Sequence, residues 1–448
     1  MPLKASTEAL PDLAAFLEPF ADHFLRSEGR DDLERYCTGL LSDLPRKNPT
    51  TIAASIPGTH PQRLQELTTE IQWDENVLNA QRVQRMCADV RVGDGALIFD
   101  DTGFAKQGTH SVGVARQYSG TLGKVGNCQV AVTSVYADPA VSWPVHVRLY
   151  LHKEWTDDPA RCAQAGVPAG TPFQTKPEIA LDMLDEADGM QVAYKVIGAD
   201  AGYGGDRTFL AGLEARGKRY VVAVPCDFQV EVKGQAALGS RRADVVLKEG
   251  ARSAWKTIAW REGTKGWLRK KCVAIRAYRM LEGQRQQLGW LIGERPARGQ
   301  SGEWKYYFSN FPKAMPLEKM VEYAHRRWHI EEFHEGGKSL LGWDDYQGRL
   351  WTGFHRQATI VMLAYSFLRW QEWHQRQQAP RSPGRPRDPF SPSARSTATF
   401  LGGDPPTDRQ RLSHGDLIKP ESWLDWAAGR LGSSIWVGCR RTGSACSS

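Results

Sequence analysis

The chain has 448 residues, 41% hydrophobic and 24% charged, enough for two or three domains with ordinary globular cores. Its net charge of +7 permits a polyanionic partner without requiring one. The eight cysteines form no CxxC pair, the longest apolar run is too short to span a bilayer, and no basic-then-apolar leader opens the chain. These features argue against a zinc ribbon, a disulfide scaffold and a membrane protein, and the expectation is a cytoplasmic protein with reduced thiols.

Residues 1–90 carry helical periodicity in LPDLAAFLEPFADHFL, LERYCTGLLSDL, HPQRLQELTTEI and ENVLNAQRVQRMC, with the basic turn Arg46, Lys47, Asn48 between the second and third. An all-helical N-terminal domain follows from this pattern. At residue 95 the pattern changes. ALIFDDTG is a continuous apolar run ending in two carboxylates, and VAYKVIGADAGYGG is another ending in Asp200 and a glycine turn. Between and after them come the strand-like QVAVTSVYAD, WPVHVRLYL and YVVAVP, and the helical PEIALDMLDEADGM and DRTFLAGLEARG. The expectation is an α/β fold, a mixed sheet flanked by helices, over 91–226 and 312–378.

Residues 227–311 lose the helical signal and read as a β-rich insertion of strands with Gly-rich or charged turns. Helices resume in LEKMVEYAHRRWHIEEFHEGGKSLLG and RQATIVMLAYSFLRWQEW. Residues 379–448 begin as a Pro/Ser/Arg-rich linker and end in a tail with one possible short helix, ESWLDWAAGRL.

The chemistry lies in the acids. A buried strand that stops on a carboxylate pays for it unless the charge is paired or bound to a cation. Asp100 and Asp101 end one such strand, Asp200 ends another, and Glu331 and Glu332 lie on the charged helix RRWHIEEFHEGGK. Each alone reads equally as a turn residue or cap. Together they would form an oxygen-only site suited to Mg2+. Zinc fits poorly: His325 and His329 are spaced i,i+4, but Arg326 stands where the metalloprotease pattern needs Glu. A phosphate loop fails because Glu332 replaces its first glycine and the segment follows a helix.

ALIFDDTGFAKQG, VIGADAGYG and RRWHIEEFHEGGK resemble the three acidic motifs of DDE transposases from bacterial insertion sequences, and the resemblance covers roughly residues 12–372. It implies a ribonuclease-H-like core and a helical N-terminal domain that binds DNA. It also implies two Mg2+ or Mn2+ ions and cut-and-paste transposition. In that reaction an activated water cuts at the transposon end and frees a 3′-hydroxyl, which attacks target DNA. The partners implied are double-stranded DNA at terminal inverted repeats and target, with a possible homodimer on DNA at the bacterial nucleoid. A copy that only binds DNA is the alternative. The family's first Asp usually precedes Thr, which selects Asp101, with Asp100 second; alternation lets only one meet Asp200. Glu331 is chosen over Glu332 because it shares a helix face with Arg327 and Lys338, while Glu332 points about 100° away.

By the same resemblance Arg327 and Lys338 hold DNA phosphates, and Lys106, Arg46 and Lys47 are candidate DNA contacts. The family's tyrosine in the helix motif is absent, since Ala324 stands there and Tyr323 is one residue early. The loop RQYSGTLGKVGN, 116–127, could approach DNA or be only a hairpin turn. Trp255, Trp260 and Trp267 could stack on a flipped base or simply pack.

Overall fold

The computed structural model describes residues 11–378 apart from 91–92, 122, 251–253, 264–265, 298 and 300. The linker and tail at 379–448, with their short helix, lie outside the described residues.

Five helices open the described chain: α1 (Pro11–Leu17), α2 (Ser27–Leu41), α3 (Pro49–Ser55), α4 (Pro61–Thr69) and α5 (Glu75–Asp89). Helix α3 is too short to show periodicity. It is set instead by its start, where Asn48 and Thr51 form a reciprocal capping box ahead of Pro49. Asp74 caps α5 by accepting the N–H groups of Asn76 and Val77. The helices share one hydrophobic core with the sheet that follows. Their polar link is the fully buried Arg82, which donates to Asn79, to the carbonyls of Pro144 and Val145 and to Ser366. Those carbonyls and that hydroxyl take up donors that would otherwise stand unpaired in an apolar interior.

Strands β1 (Gly95–Ala105), β2 (Ala115–Ser119), β3 (Lys124–Ala137) and β4 (Ser142–Tyr150) form antiparallel pairs. Short helices α6 (Lys153–Thr156) and α7 (Pro159–Gln164) and the longer α8 (Lys176–Gly189) lead to β5 (Tyr194–Ala199). Then come α9 (Ala201–Gly204), α10 (Arg207–Ala215) and β6 (Tyr220–Val224). Strands β1, β5 and β6 run parallel, and Leu97, Ile98, Phe99, Val196 and Ile197 are fully buried. Burial on both faces is why these strands read as unbroken apolar runs. The result is the expected mixed α/β, ribonuclease-H-like sheet flanked by helices.

Residues 227–311, expected as an insertion, contain β7 (Gln229–Val232), β8 (Arg241–Arg242), α11 (Ala243–Gly250), β9 (Lys256–Gly263), β10 (Gly266–Leu281), β11 (Gln284–Arg295) and β12 (Lys305–Ser309). These strands do not stand apart. Strand β12 pairs antiparallel with β6, so the order β2-β3-β1-β5-β6-β12-β11-β10-β7-β8 makes one continuous sheet. The two-residue turn of Glu282 and Gly283, both at positive φ, closes β10 onto β11.

The long charged helix expected after 312 is three pieces. Helix α12 (Leu317–His325) gives way at Arg326 and Arg327 to α13 (Trp328–Glu335), and a π-turn over Gly336–Leu340 follows. Both arginines keep right-handed backbone angles, so the path bends without reversing. The wider π-turn ends the regular 3.6-residue repeat before Lys338, so the i, i+11 spacing no longer places that lysine. Helix α14 (Trp351–Gln378) closes the described chain.

Candidate active site

Pairing between β1 and β5 ends at Phe99 and Ala199, so the chain presents Asp100 and Asp200 side by side where the two strands part. Asp200 caps α9. Its Oδ1 accepts the N–H groups of Gly202 (2.9 Å) and Tyr203 (3.2 Å), which fixes the carboxylate and, among the described residues, leaves Oδ2 without a hydrogen bond. Asp100 Oδ1 accepts the Asp101 N–H at 2.8 Å, and its Oδ2 accepts from Arg327 Nη1 at 3.0 Å. The same guanidinium donates through Nη2 to Glu331 Oε1, one helical turn on. One arginine at the α12/α13 junction therefore joins the first strand acid to the helix acid.

The electrostatics follow from that crowding. Burial pushes the Asp100 carboxyl up to about 8; Arg327 opposes the shift, and Asp200 and Asp101 add to it. Burial works against the Arg327 charge, but Glu331, Asp100 and Asp200 outweigh it and hold its pKa above the usual arginine value. Behind the site, Thr133 lies opposite Asp100 on β3 and donates to the Asp100 carbonyl at 3.1 Å. Its oxygen is 2.7 Å from His334 Nε2 on α13. Since the threonine proton goes to the carbonyl, His334 Nε2 is the donor in that contact. The pair docks the helix on the strand, and burial holds His334 neutral, down to about 3.

Asp101, the first choice from sequence, points to the other face and pairs with Lys176 at the start of α8. The geometry therefore brings Asp100, not Asp101, to Arg327 and Glu331. Thr102 after Asp101 carried the sequence choice, and nothing in a run of two acids labels their faces. Glu332 is turned to α14, where it accepts from Arg369 Nη2 at 2.5 Å and lies 3.2 Å from His329 Nδ1. Among the described residues no three carboxylate, imidazole or thiol side chains are gathered closely enough to hold one ion, and the Arg327 guanidinium stands between Asp100 and Glu331. The donor set nonetheless suits a hard divalent cation: all donors are oxygens, two are anchored by backbone N–H groups, and negative charge exceeds positive.

The other expected DNA contacts are distributed differently. Lys338 Nζ donates to the Gly103 carbonyl (2.7 Å) and Thr121 Oγ1 (3.3 Å), and burial draws it down to about 8. Lys106 Nζ donates to the Tyr346 carbonyl at 2.8 Å. Lys47 is buried, its ammonium bonded to the carbonyls of Leu40 and Leu340 and its N–H to Asp345, so it is a structural tie rather than a surface cation. Arg46 is exposed. Tyr323 is buried, stacks on Phe311 and donates to Asp94. Of the insertion tryptophans, Trp260 stacks on His325 at 3.7 Å and Trp255 packs edge-on to Trp304, while Trp267 is exposed. Sequence reading missed Lys176, Thr133 and His334; only His334, one turn beyond Glu331, carried a local signal.

The family of DDE superfamily endonucleases matches residues 19–267, which include Asp100, Asp101 and Asp200. The transposase DDE domain matches residues 175–367, which include Asp200 and Glu331. The chain belongs to the DDE transposases of insertion sequences. It is 26% identical over 313 residues to the probable transposase for insertion sequence element IS701 of Microchaete diplosiphon, covering 69% of this chain and 74% of that protein. Among the described residues of this transposase no helix is long and apolar enough to cross a membrane.

Proposed function

We infer that this transposase cuts DNA at the ends of its element and joins the freed ends to target DNA, with Asp100, Asp200 and Glu331 as the acids that hold two Mg2+ or Mn2+ ions. The observation that carries the reading is the shared guanidinium of Arg327, which ties Asp100 to Glu331 beside Asp200. Bound divalent ions would supply Lewis acidity at the scissile phosphate. The protein's own part is to fix the acids. Backbone N–H groups orient Asp100 and Asp200, the contact of Thr133 with His334 sets the helix against β1, and Arg327 offers N–H donors to a phosphate oxygen.

In the first step a water oxygen bonds to phosphorus, the 3′-oxygen leaves and takes up a proton. In the second, that 3′-hydroxyl attacks a target phosphodiester and displaces its 3′-oxygen. The substrates are then double-stranded terminal repeats and target DNA in the bacterial cytoplasm, and joining two ends calls for a homodimer on DNA. The test is nicking of duplexes made from the DNA flanking the gene, with and without Mg2+. Cleavage that needs the ion and vanishes in Asp200→Ala supports the enzyme; equal, ion-independent inactivity of both proteins would leave a chain that only binds DNA.

A further inference from the structure

Strand β2 and the start of β3 pair as a β-hairpin, and Thr121 between them reaches the end of β1. Thr121 Oγ1 accepts the Gly103 N–H at 3.3 Å and also the Lys338 ammonium, which in turn holds the Gly103 carbonyl. A side chain at Gly103 would collide with Ser119 Oγ, so the glycine of DDTG is what lets the hairpin lie this close. Gly103 is three residues beyond Asp100, which sets the hairpin about 10 Å along the strand from the acids.

The outward face of the hairpin is unusual. Tyr118 and Val125 are a directly paired cross-strand couple, 49% and 53% exposed, and Arg116 precedes Tyr118 by two residues on the same face. Lys124, the neighbour of Val125, is exposed on the opposite face, across from Ser119. Among the described residues neither Arg116 nor Lys124 has a carboxylate partner within ion-pair distance. An aromatic and a valine held outward beside the Arg116 cation, on the strand that follows the proposed cutting site, match a nucleic-acid strand: a cation for a phosphate, a ring for a base face.

We propose that the β2–β3 hairpin is a DNA-engaging wedge beside the cut, with Arg116 on a phosphate and Tyr118 backed by Val125 against a base. At 3.4 Å per nucleotide along a strand, its contacts fall within about five base pairs of the scissile phosphate. The proposal rests on the strand-transfer reading only for the position of the cut.

The experiment places 2-aminopurine within about five base pairs of the outer end of the terminal repeat. It then measures both affinity and fluorescence for the full chain across a salt series. Tyr118→Ala is expected to bind about tenfold more weakly and to lose the fluorescence change, while Tyr118→Phe retains both. Arg116→Ala is expected to lower the slope of log affinity against log salt by about one. Circular dichroism identical to wild type excludes unfolding of these exposed positions as the cause. Tyr118→Ala and Arg116→Ala proteins that bind and perturb the probe as wild type does would overturn the wedge, even if Mg2+-dependent cutting is normal. If wild type binds but never cuts, the strand-transfer reading falls and the fluorescence comparison still decides the hairpin. Failure of wild type to bind the duplex at all overturns both.

Discussion

The two sides of helix α13 are built from the same residue types and balanced in opposite ways. Toward β1, Asp100 and Glu331 share one guanidinium with Asp200 nearby, and burial pushes Asp100 up to about 8. Toward α14, Glu332 is equally enclosed; burial again opposes its charge, yet Arg369 and His329 carry it down to about 2. Burial acts alike on the two carboxyls, so the difference is charge count. A side that is short of cations is unstable as it stands and favours an added one, whereas the α14 side is closed on itself. On the proposed reading, what separates a metal site from a structural clamp here is the unbalanced charge, not the presence of acids.

The largest expected effect breaks that comparison at the acids. Asp100→Asn, Asp200→Asn and Glu331→Gln should each lower Mg2+-dependent cleavage on the order of a thousandfold, since each removes charge from the reacting centre. Asp101→Asn, which loses only the pair with Lys176, should cost about tenfold or less. Single-turnover cleavage rates decide it: an inactive Asp101→Asn beside an active Asp100→Asn would reverse the assignment of the first acid.

The next effect sharpens the other side. Glu332 has an ordinary value of 4.5 and a folded value of about 2, so the folded chain gives up this proton more readily than the unfolded one. Its stabilisation is therefore fully present above pH 4.5 and is lost as pH falls from 4.5 toward 2, on the order of 3 kcal/mol in all. Glu332→Gln should melt well below wild type at pH 7, and urea titrations should find that gap shrinking below pH 4.5. A gap constant from pH 7 to 3 would mean that Glu332 acts through packing rather than charge.

How far the sequence reached follows the same physics. ALIFDD and VIGAD declared buried strands because both faces are covered, and an acid closing such a run stands out. The helices of the N-terminal region, of α8, α10 and of α14 carried enough turns to show their period. What stayed hidden were properties of direction. Two adjacent acids on a strand point opposite ways, and the Asp-Thr pattern of relatives does not say which face meets the helix. The bend at Arg326 and Arg327 and the π-turn after Glu335 leave the apolar spacing nearly intact, so one helix was expected where there are two and a turn. Helix α3 and strand β2 were too short to register against their neighbours. Lys47 read as a surface cation because the carbonyl of Leu340 that receives its ammonium lies 293 residues away.

That last pair supplies the smallest effect and the finest test. Arg46 and Lys47 are neighbours of like charge, one exposed and one buried, so sequence alone assigns them the same role. If the helical region touches DNA through this turn, only Arg46 can contribute a phosphate contact. Arg46→Ala should then weaken binding a few-fold at low salt and reduce the salt slope by about one or less. Lys47→Met should lower the melting temperature, because the carbonyls of Leu40 and Leu340 and the packing between α2 and the π-turn lose their shared ammonium. It should leave the salt slope where it was, since a cation already enclosed by carbonyls releases no counterion on binding. A slope that changes in Lys47→Met and not in Arg46→Ala would show that the turn opens when DNA arrives, and that the buried lysine is the one that reads it.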